Sequence, residues 1–378
     1  MKILYISDST IPSYSANSIH VMKMCNAFAF NGHETYLTSK NTGATLSNVE
    51  DIYKFYGVKP DFKLIRKPGF SFPGAGRFYN FTIPFFGFGN YDLVYTRSIY
   101  AAFWYTLFNK PIVFEIHEPF ESKNKFLGNL LNYIIEKNNF EKIVVISDAL
   151  KQYFLKNYQI DPNQIIVAAD GADEIPEHTK PVALKGEYNV GYVGSLLIGK
   201  GIELIVPLSK KLKNVNFHIV GGNESQINHW KEKLPDSSNI IFHGSVPHSK
   251  TAEYIKAFDV LLAPYQDKVF VKKESNSNNI AQWMSPLKIF EYMASGNPII
   301  SSDLPVIREA LQDTRNCLLC RADNLEAWEE AILKLKNNSE LSTALAENAK
   351  EDFDNYYTWN KRSKRILSDI FSEAQTEI

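Results

Sequence analysis

Cysteine is scarce, with three residues in a chain of 378. So small and odd a set cannot build a disulfide framework, and it fits a reducing compartment. Excess charge of either sign is also lacking. Lys and Arg number 41 against 42 Asp and Glu, for a net charge of -1. A global electrostatic grip on nucleic acid is therefore not expected. Long hydrophobic runs are missing. The uncharged apolar stretch between Arg97 and Lys110 holds only twelve residues. It falls well short of the roughly 20 residues a membrane helix needs. The opening MKILYISDS runs straight into a strand-like pattern, with no signal-peptide core or cleavage site. A cytoplasmic setting is expected, with peripheral contact to the inner membrane left open. Neither His-Glu-x-x-His, Gly-x-Ser-x-Gly nor Gly-x-Gly-x-x-Gly occurs, and residues 7–18, after the first strand pattern, hold no glycine. An ordinary dinucleotide dehydrogenase is thereby disfavoured.

What is present is ordinary globular material, 44% hydrophobic and 22% charged. At about 150 residues per domain the length suggests two domains. Short apolar runs alternate with helix-period segments: residues 3–6, 93–95, 112–116, 143–146 and 165–167. A second series follows at residues 190–193, 217–220, 240–242, 260–263 and 298–300. Continuous apolar strands between helices predict parallel sheets covered on both faces. Ser18 is expected to cap the first helix, which closes at Asn31-Gly32. Residues 174–188, with two prolines and many charges, read as a linker. The predicted organisation is residues 1–173, a linker 174–188, and residues 189–354. A last amphipathic helix, around Trp359 to Glu373, turns Ile366, Ile370 and Phe371 to one side. Residues 70–88 are unusually aromatic for a loop. They read as a packed surface loop or as a lip that touches a lipid-linked substrate or the membrane surface.

Ligands of doubly wound domains sit beyond the carboxyl ends of the strands, and three constellations fall there. The first is Gly191 to Gly201, between a strand and a helix. Its glycines allow close backbone approach, the helix N-terminus suits an anion, and Lys200 adds a charge. Gly194 to Lys200 spells Gly-x4-Gly-Lys, but Gly201 stands where a P-loop needs Ser or Thr. A glycine-rich turn with a solvated lysine is the plain alternative. The second is Ser285 to Gly296, a short helix with Ser285 as expected N-cap, Pro286 at the first position and Gly296 as stop. Lys288 in its first turn opposes the helix dipole and suggests a nearby anion. The plain alternative is a surface salt bridge with Glu291. The third is His117, at the end of an apolar strand, with His20 near the start of the first helix. Either can donate to a phosphate or a sugar hydroxyl. Cys317-Leu318-Leu319-Cys320 lies in an apolar run without a second ligand pair, and reads as structural.

Taken in order, several segments resemble the family-4 retaining glycosyltransferases of the GT-B fold, the glycosyl transferases group 1. They are Asn31 to Glu34, Asp170 to Asp173, Gly194 to Gly201, Val220 to Gly222, Phe242 to Gly244, Ala257 to Val260 and Phe290 to Pro298. The resemblance implies two Rossmann-like doubly wound α/β domains facing a cleft. The C-terminal helix, within residues 355–378, would cross back to the first. It implies a nucleoside diphosphate sugar of UDP or GDP type as donor substrate, no cofactor and no metal. A glycan or lipid-linked acceptor follows, in cell-envelope polysaccharide synthesis. Transfer would retain anomeric configuration.

By the same resemblance Lys200 holds the donor diphosphate, Glu291 the ribose hydroxyls, and Gly244 to Val246 edge the base. Gly194, Ser195, Gly201, Ser285, Leu287 and Lys288 complete the donor side. His117, Lys200 and Lys288 would act in catalysis, and Ser15, Ala16, His20 and Arg97 would face the acceptor. Three departures mark this chain. Ser195 stands where the family often has Arg, Trp283 where its Glu-x7-Glu begins, and Ser15-Ala16 where it has Gly-Gly. The alternatives are a GT-B epimerase or phosphorylase, or a nucleotide-sugar-binding protein with altered or lost transfer.

Overall fold

The structure, a computed structural model, describes every residue except 42–45, 47, 69–88, 121–124, 235–238, 271–278 and 372–378. The aromatic stretch 70–88 thus lies outside the described residues. The chain forms two units, Met1–Ala169 with Trp359–Ile378, and Asp170–Thr358.

Among the described residues the first unit holds seven parallel strands: Lys2–Thr10 (β1), Glu34–Asn41 (β2), Lys63–Pro68 (β3), Leu93–Thr96 (β4), Ile112–Ile116 (β5), Phe140–Val145 (β6) and Ile165–Val167 (β7). Their order is β3-β2-β1-β4-β5-β6-β7. The order reverses between β1 and β4, where ligands of open α/β sheets bind. Helices cover both faces, so the central strands have no polar side: all five residues of β5 are buried. Helix Ala16–Phe30 (α1) is capped by Ser15, whose hydroxyl accepts from the Ser18 amide at 3.2 Å. Ser18 is therefore not the cap. Its own hydroxyl donates to the Ser15 and Ser13 carbonyls, which holds it inside the first turn. The final helix, Trp359–Phe371 (here α12), packs on α1. Ile366 and Ile370 are buried, whereas Phe371, the last residue of the helix, is exposed.

The described residues of the second unit order six parallel strands β10-β9-β8-β11-β12-β13. They are Asn189–Val193 (β8), Asn216–Val220 (β9), Ile240–Gly244 (β10), Val260–Ala263 (β11), Ile299–Ser302 (β12) and Leu318–Cys320 (β13). The reversal falls between β8 and β11. Residues 174–188 carry no helix or strand, and the Val182 amide donates to the Glu253 carbonyl at 3.0 Å. The unit's described core includes the fully buried Trp328, with Tyr192, Ile219, Leu262 and Ile300. Cys317 and Cys320 are buried free thiols that donate to the Gln312 and Ala327 carbonyls. Burial pushes both above the usual thiol range, which suits a structural role. No described helix is long and apolar enough to cross a membrane.

Candidate functional site

In the second unit, glycine lets three strand ends meet. Gly194, just past β8, has φ 149°, and its amide donates to the Val220 carbonyl at 2.9 Å. Gly221 has φ 120°, and a Cβ there would stand 2.1 Å from the Gly194 carbonyl oxygen. Its amide donates to the Gly244 carbonyl at 2.7 Å. Beside Gly244 a Cβ would meet nothing within 4 Å, so space opens there. Ser245 closes the next turn by donating to the Gly222 carbonyl. Val246 follows, half-buried.

Helix Leu287–Ser295 (here α9) aims its first turn at this meeting point. Buried Tyr292 anchors it, its hydroxyl accepting from the Val193 amide at 2.8 Å. One turn earlier, Lys288 reaches Gly194: its Nζ would lie 3.0 Å from a Cβ there. Lys288 is 8% exposed, and among the described residues its ammonium has no hydrogen-bond partner. It rests over the Tyr192 ring at 3.7 Å from the centroid. Burial, and then the charge of Lys200, hold it well below the usual lysine range, against the pull of Glu291. Burial lowers Lys200 as well. Two cations therefore act on one another here, and among the described residues the Lys288 ammonium has no hydrogen-bonded acid, whereas native proteins pair or neutralise buried charge. Glu291 does not pair with Lys288 as a surface bridge. Its carboxylate lies 2.9 Å from His248 Nε2.

Two local expectations change. Ser285 does not cap α9, because its hydroxyl accepts from the Asp170 amide at 2.9 Å. Pro286 takes the cap position, with Leu287 the first helical residue and Lys288 the second. The amides of Gly199 and Gly201 are not left for an anion either. Glu203, in the first turn of helix Ile202–Lys211 (here α6), accepts both, at 3.1 and 3.2 Å. Gly201 still caps that helix at φ 104°. The Ser195 hydroxyl is buried without a hydrogen-bond partner among the described residues, and the Ser195 carbonyl accepts from Tyr192 at 2.8 Å.

In the first unit, His117 follows β5 and His20 lies in α1. Both face one carboxylate: His117 Nε2 is 2.7 Å and His20 Nε2 2.9 Å from Glu115 Oε1. Arg362, from α12, donates to the same oxygen at 2.8 Å, and Tyr95 to Oε2 at 2.5 Å. Burial pushes the Glu115 carboxyl up. Arg362 and then the two histidines outweigh it and hold the group well below the usual carboxylate range. The three donors His20, Glu115 and His117 lie within 4.8 Å of one another, as metal ligands do, but Arg362 already supplies the cation. Ser15 and Ala16 are exposed at the start of α1. Arg97 follows β4 half-buried, near enough to Tyr5 to act on its hydroxyl electrostatically. Asp352 and Asp354 spell Asp-x-Asp, the spacing of many metal sites. Their carboxylates are taken by Arg315 and Lys350, each at 2.5 Å.

Sequence reading missed Tyr192, Glu203, His248, Glu115 and Arg362. Only Glu115 carried a signal, an acid inside an otherwise apolar strand two residues before His117.

Residues 174–352 match the model of the glycosyl transferases group 1, and residues 18–174 that of Glycosyltransferase Family 4. An uncharacterized glycosyltransferase of Methanocaldococcus jannaschii is 26% identical over 226 residues, which is 59% of this chain and 57% of the relative. The chain thus spans less than two thirds of that relative's length. Sucrose-phosphate synthase of Thermosynechococcus elongatus superposes with a TM-score of 0.73 at 17% identity, with 100% of both chains covered. Anabaena HepE in complex with UDP does so at 0.69 and 13%, again with 100% of both covered. These likenesses show the GT-B fold. With the two family matches side by side along it, this chain belongs to the glycosyl transferases group 1.

Proposed function

We propose that the protein transfers a sugar from a nucleoside diphosphate sugar to a glycan or lipid-linked acceptor. Transfer retains anomeric configuration and needs no metal ion. The observation that carries this reading is Lys288, a buried ammonium without a hydrogen-bond partner among the described residues, aimed at the glycine junction beside Lys200. Such a site wants a multiply charged anion. A departing diphosphate carries that charge, and preorganised cations stabilise it as it develops. Family likeness and the solved complexes of Anabaena HepE with UDP and with UDP-glucose support a UDP- or GDP-type donor. Glu291, already held by His248, would take the ribose hydroxyls. Gly244 to Val246 would edge the base.

His117 acts on the sugar side. Glu115 is committed to Arg362, Tyr95 and two histidines, so it does not serve as a carboxylate nucleophile. Front-face attack, with the leaving phosphate as base, then accounts for retention. By family likeness the setting is cytoplasmic assembly of an envelope polysaccharide, with peripheral contact to the inner membrane.

A thermal-shift panel of nucleoside diphosphates and their sugars tests the donor, since a specific ligand raises stability by mass action. Titration calorimetry and turnover then test the residues. Lys200→Ala is expected to weaken nucleoside diphosphate binding about 10- to 100-fold, the worth of one charge-assisted bond. Glu291→Ala weakens binding in the same direction. His117→Ala keeps the affinity and loses about 100-fold in turnover. Unchanged affinity in both Lys200→Ala and Glu291→Ala sinks the site assignment. Binding without transfer from any donor, or conversion of a donor without acceptor, replaces transferase with a binding protein or an epimerase.

A further inference from the structure

We propose that Glu115 is the positioning residue for His117, and that Arg362, returning on the final helix, holds Glu115 in place to do so. The proposal rests on the assignment of His117 above for its effect on turnover, but not for its geometry.

Glu115 lies in β5 and His117 just past its end, two residues on, and the two side chains meet, with His117 Nε2 2.7 Å from Glu115 Oε1. Glu115 is 1% exposed and Arg362 3%. The guanidinium is fixed on every side. Nε donates to the Ala169 carbonyl at 2.9 Å, and Nη2 to Ala168 at 3.2 Å and Glu115 at 2.8 Å. Nη1 lies 3.0 Å from Met24 Sδ. A planar fork held this way leaves the carboxylate one orientation. An ionised carboxylate only accepts hydrogen bonds. The ring atom facing it, His117 Nε2 at 2.7 Å, must therefore carry the proton. The chemistry that His117 offers a sugar hydroxyl or a phosphate is thus left to Nδ1. A second carboxylate partner fixes histidine tautomers in the same way at metal and hydrolase sites. His20 packs edge-on against His117, with ring centroids 5.0 Å apart, and against Trp359 of the final helix at 5.2 Å. The imidazole is thereby confined in angle as well as in tautomer.

The test is a two-bond proton–nitrogen spectrum of the full chain labelled with nitrogen-15 histidine. Loss of signals in His117→Gln identifies the ring. The native protein is expected to show His117 Nε2 as an N–H. A lone pair on Nε2 overturns the proposal with no need of a further variant. In the double variant Glu115→Leu with Arg362→Met no acceptor faces Nε2 and no charge is left buried alone, so the Nε2 signal is expected to move away from its native N–H position. Turnover then falls about 100-fold, with the Michaelis constant for the donor little changed. His117 signals that stay at their native positions in the folded double variant overturn the proposal. Tyr95→Phe touches only Oε2 and is expected to leave the His117 signals in place. The spectrum needs no substrate, so it stands or falls apart from the transferase reading, which UDP titration tests.

Discussion

Replacing Lys288 with methionine is expected to stabilise the unliganded protein while removing most of its affinity for nucleoside diphosphates. The ammonium is buried and has no hydrogen-bond partner among the described residues. Contact with the Tyr192 ring at 3.7 Å offsets part of the desolvation. The charge of Lys200 works against it. Methionine keeps the length and loses the charge, so the empty protein should gain about 1–2 kcal/mol. With UDP or pyrophosphate bound the order reverses, because the native lysine then makes charge-assisted bonds and the variant makes none. Affinity should fall at least about 10- to 100-fold.

The pH dependence has a definite sign. Lys288 is held well below the usual lysine value, so between its folded value and about 10.4 the native state binds fewer protons than the unfolded chain. Native stability therefore climbs with pH across that window, and Lys288→Met lacks this contribution. Urea unfolding at several pH values, with and without UDP, reads both effects. A variant less stable than the native protein when empty, yet equally tight for UDP, removes Lys288 from the site.

The second large effect lies in the first unit. Glu115→Ala strips the counter-charge from Arg362, which is 3% exposed. Removing one partner of a buried ion pair costs about 3–5 kcal/mol, because the other is left uncompensated. The double variant Glu115→Ala with Arg362→Met should recover part of that loss, since no charge is then stranded. Glu115 is depressed in the folded state, so its contribution is present above the unfolded carboxyl value of about 4.3. It is lost as pH falls through the folded value. Acid unfolding of the native protein should show this component, and the double variant should lack it. Equal urea midpoints for native protein and Glu115→Ala would leave the pair with no role in stability.

The sheets were legible because parallel strands buried on both faces read as unbroken apolar runs, as in residues 3–6 and 260–263. Lys63–Pro68 was not, since its sequence KLIRKP places three cations on a strand at the edge of the sheet. Edge strands carry charge as protection against mispairing. In the site, glycine, lysine and histidine stood out because each is rare where it stood. What escaped notice were the supports. Tyr192, Tyr292 and Arg362 look like ordinary strand and helix residues, and only long-range packing brings them to Lys288, Val193 and Glu115 respectively. The caps at Ser15 and Pro286 were misplaced by small offsets, because neighbouring serines compete and a distant amide recruits Ser285.

The first unit is completed by the last helix of the chain, Trp359–Phe371. On the ribosome, residues 1–169 emerge long before Arg362 does, and domains otherwise tend to fold in order of synthesis. Glu115 then waits, without its guanidinium, through the synthesis of the entire second unit. The nascent first half is therefore an unfinished protein, and a chain cut short after residue 358 would leave the waiting state permanent.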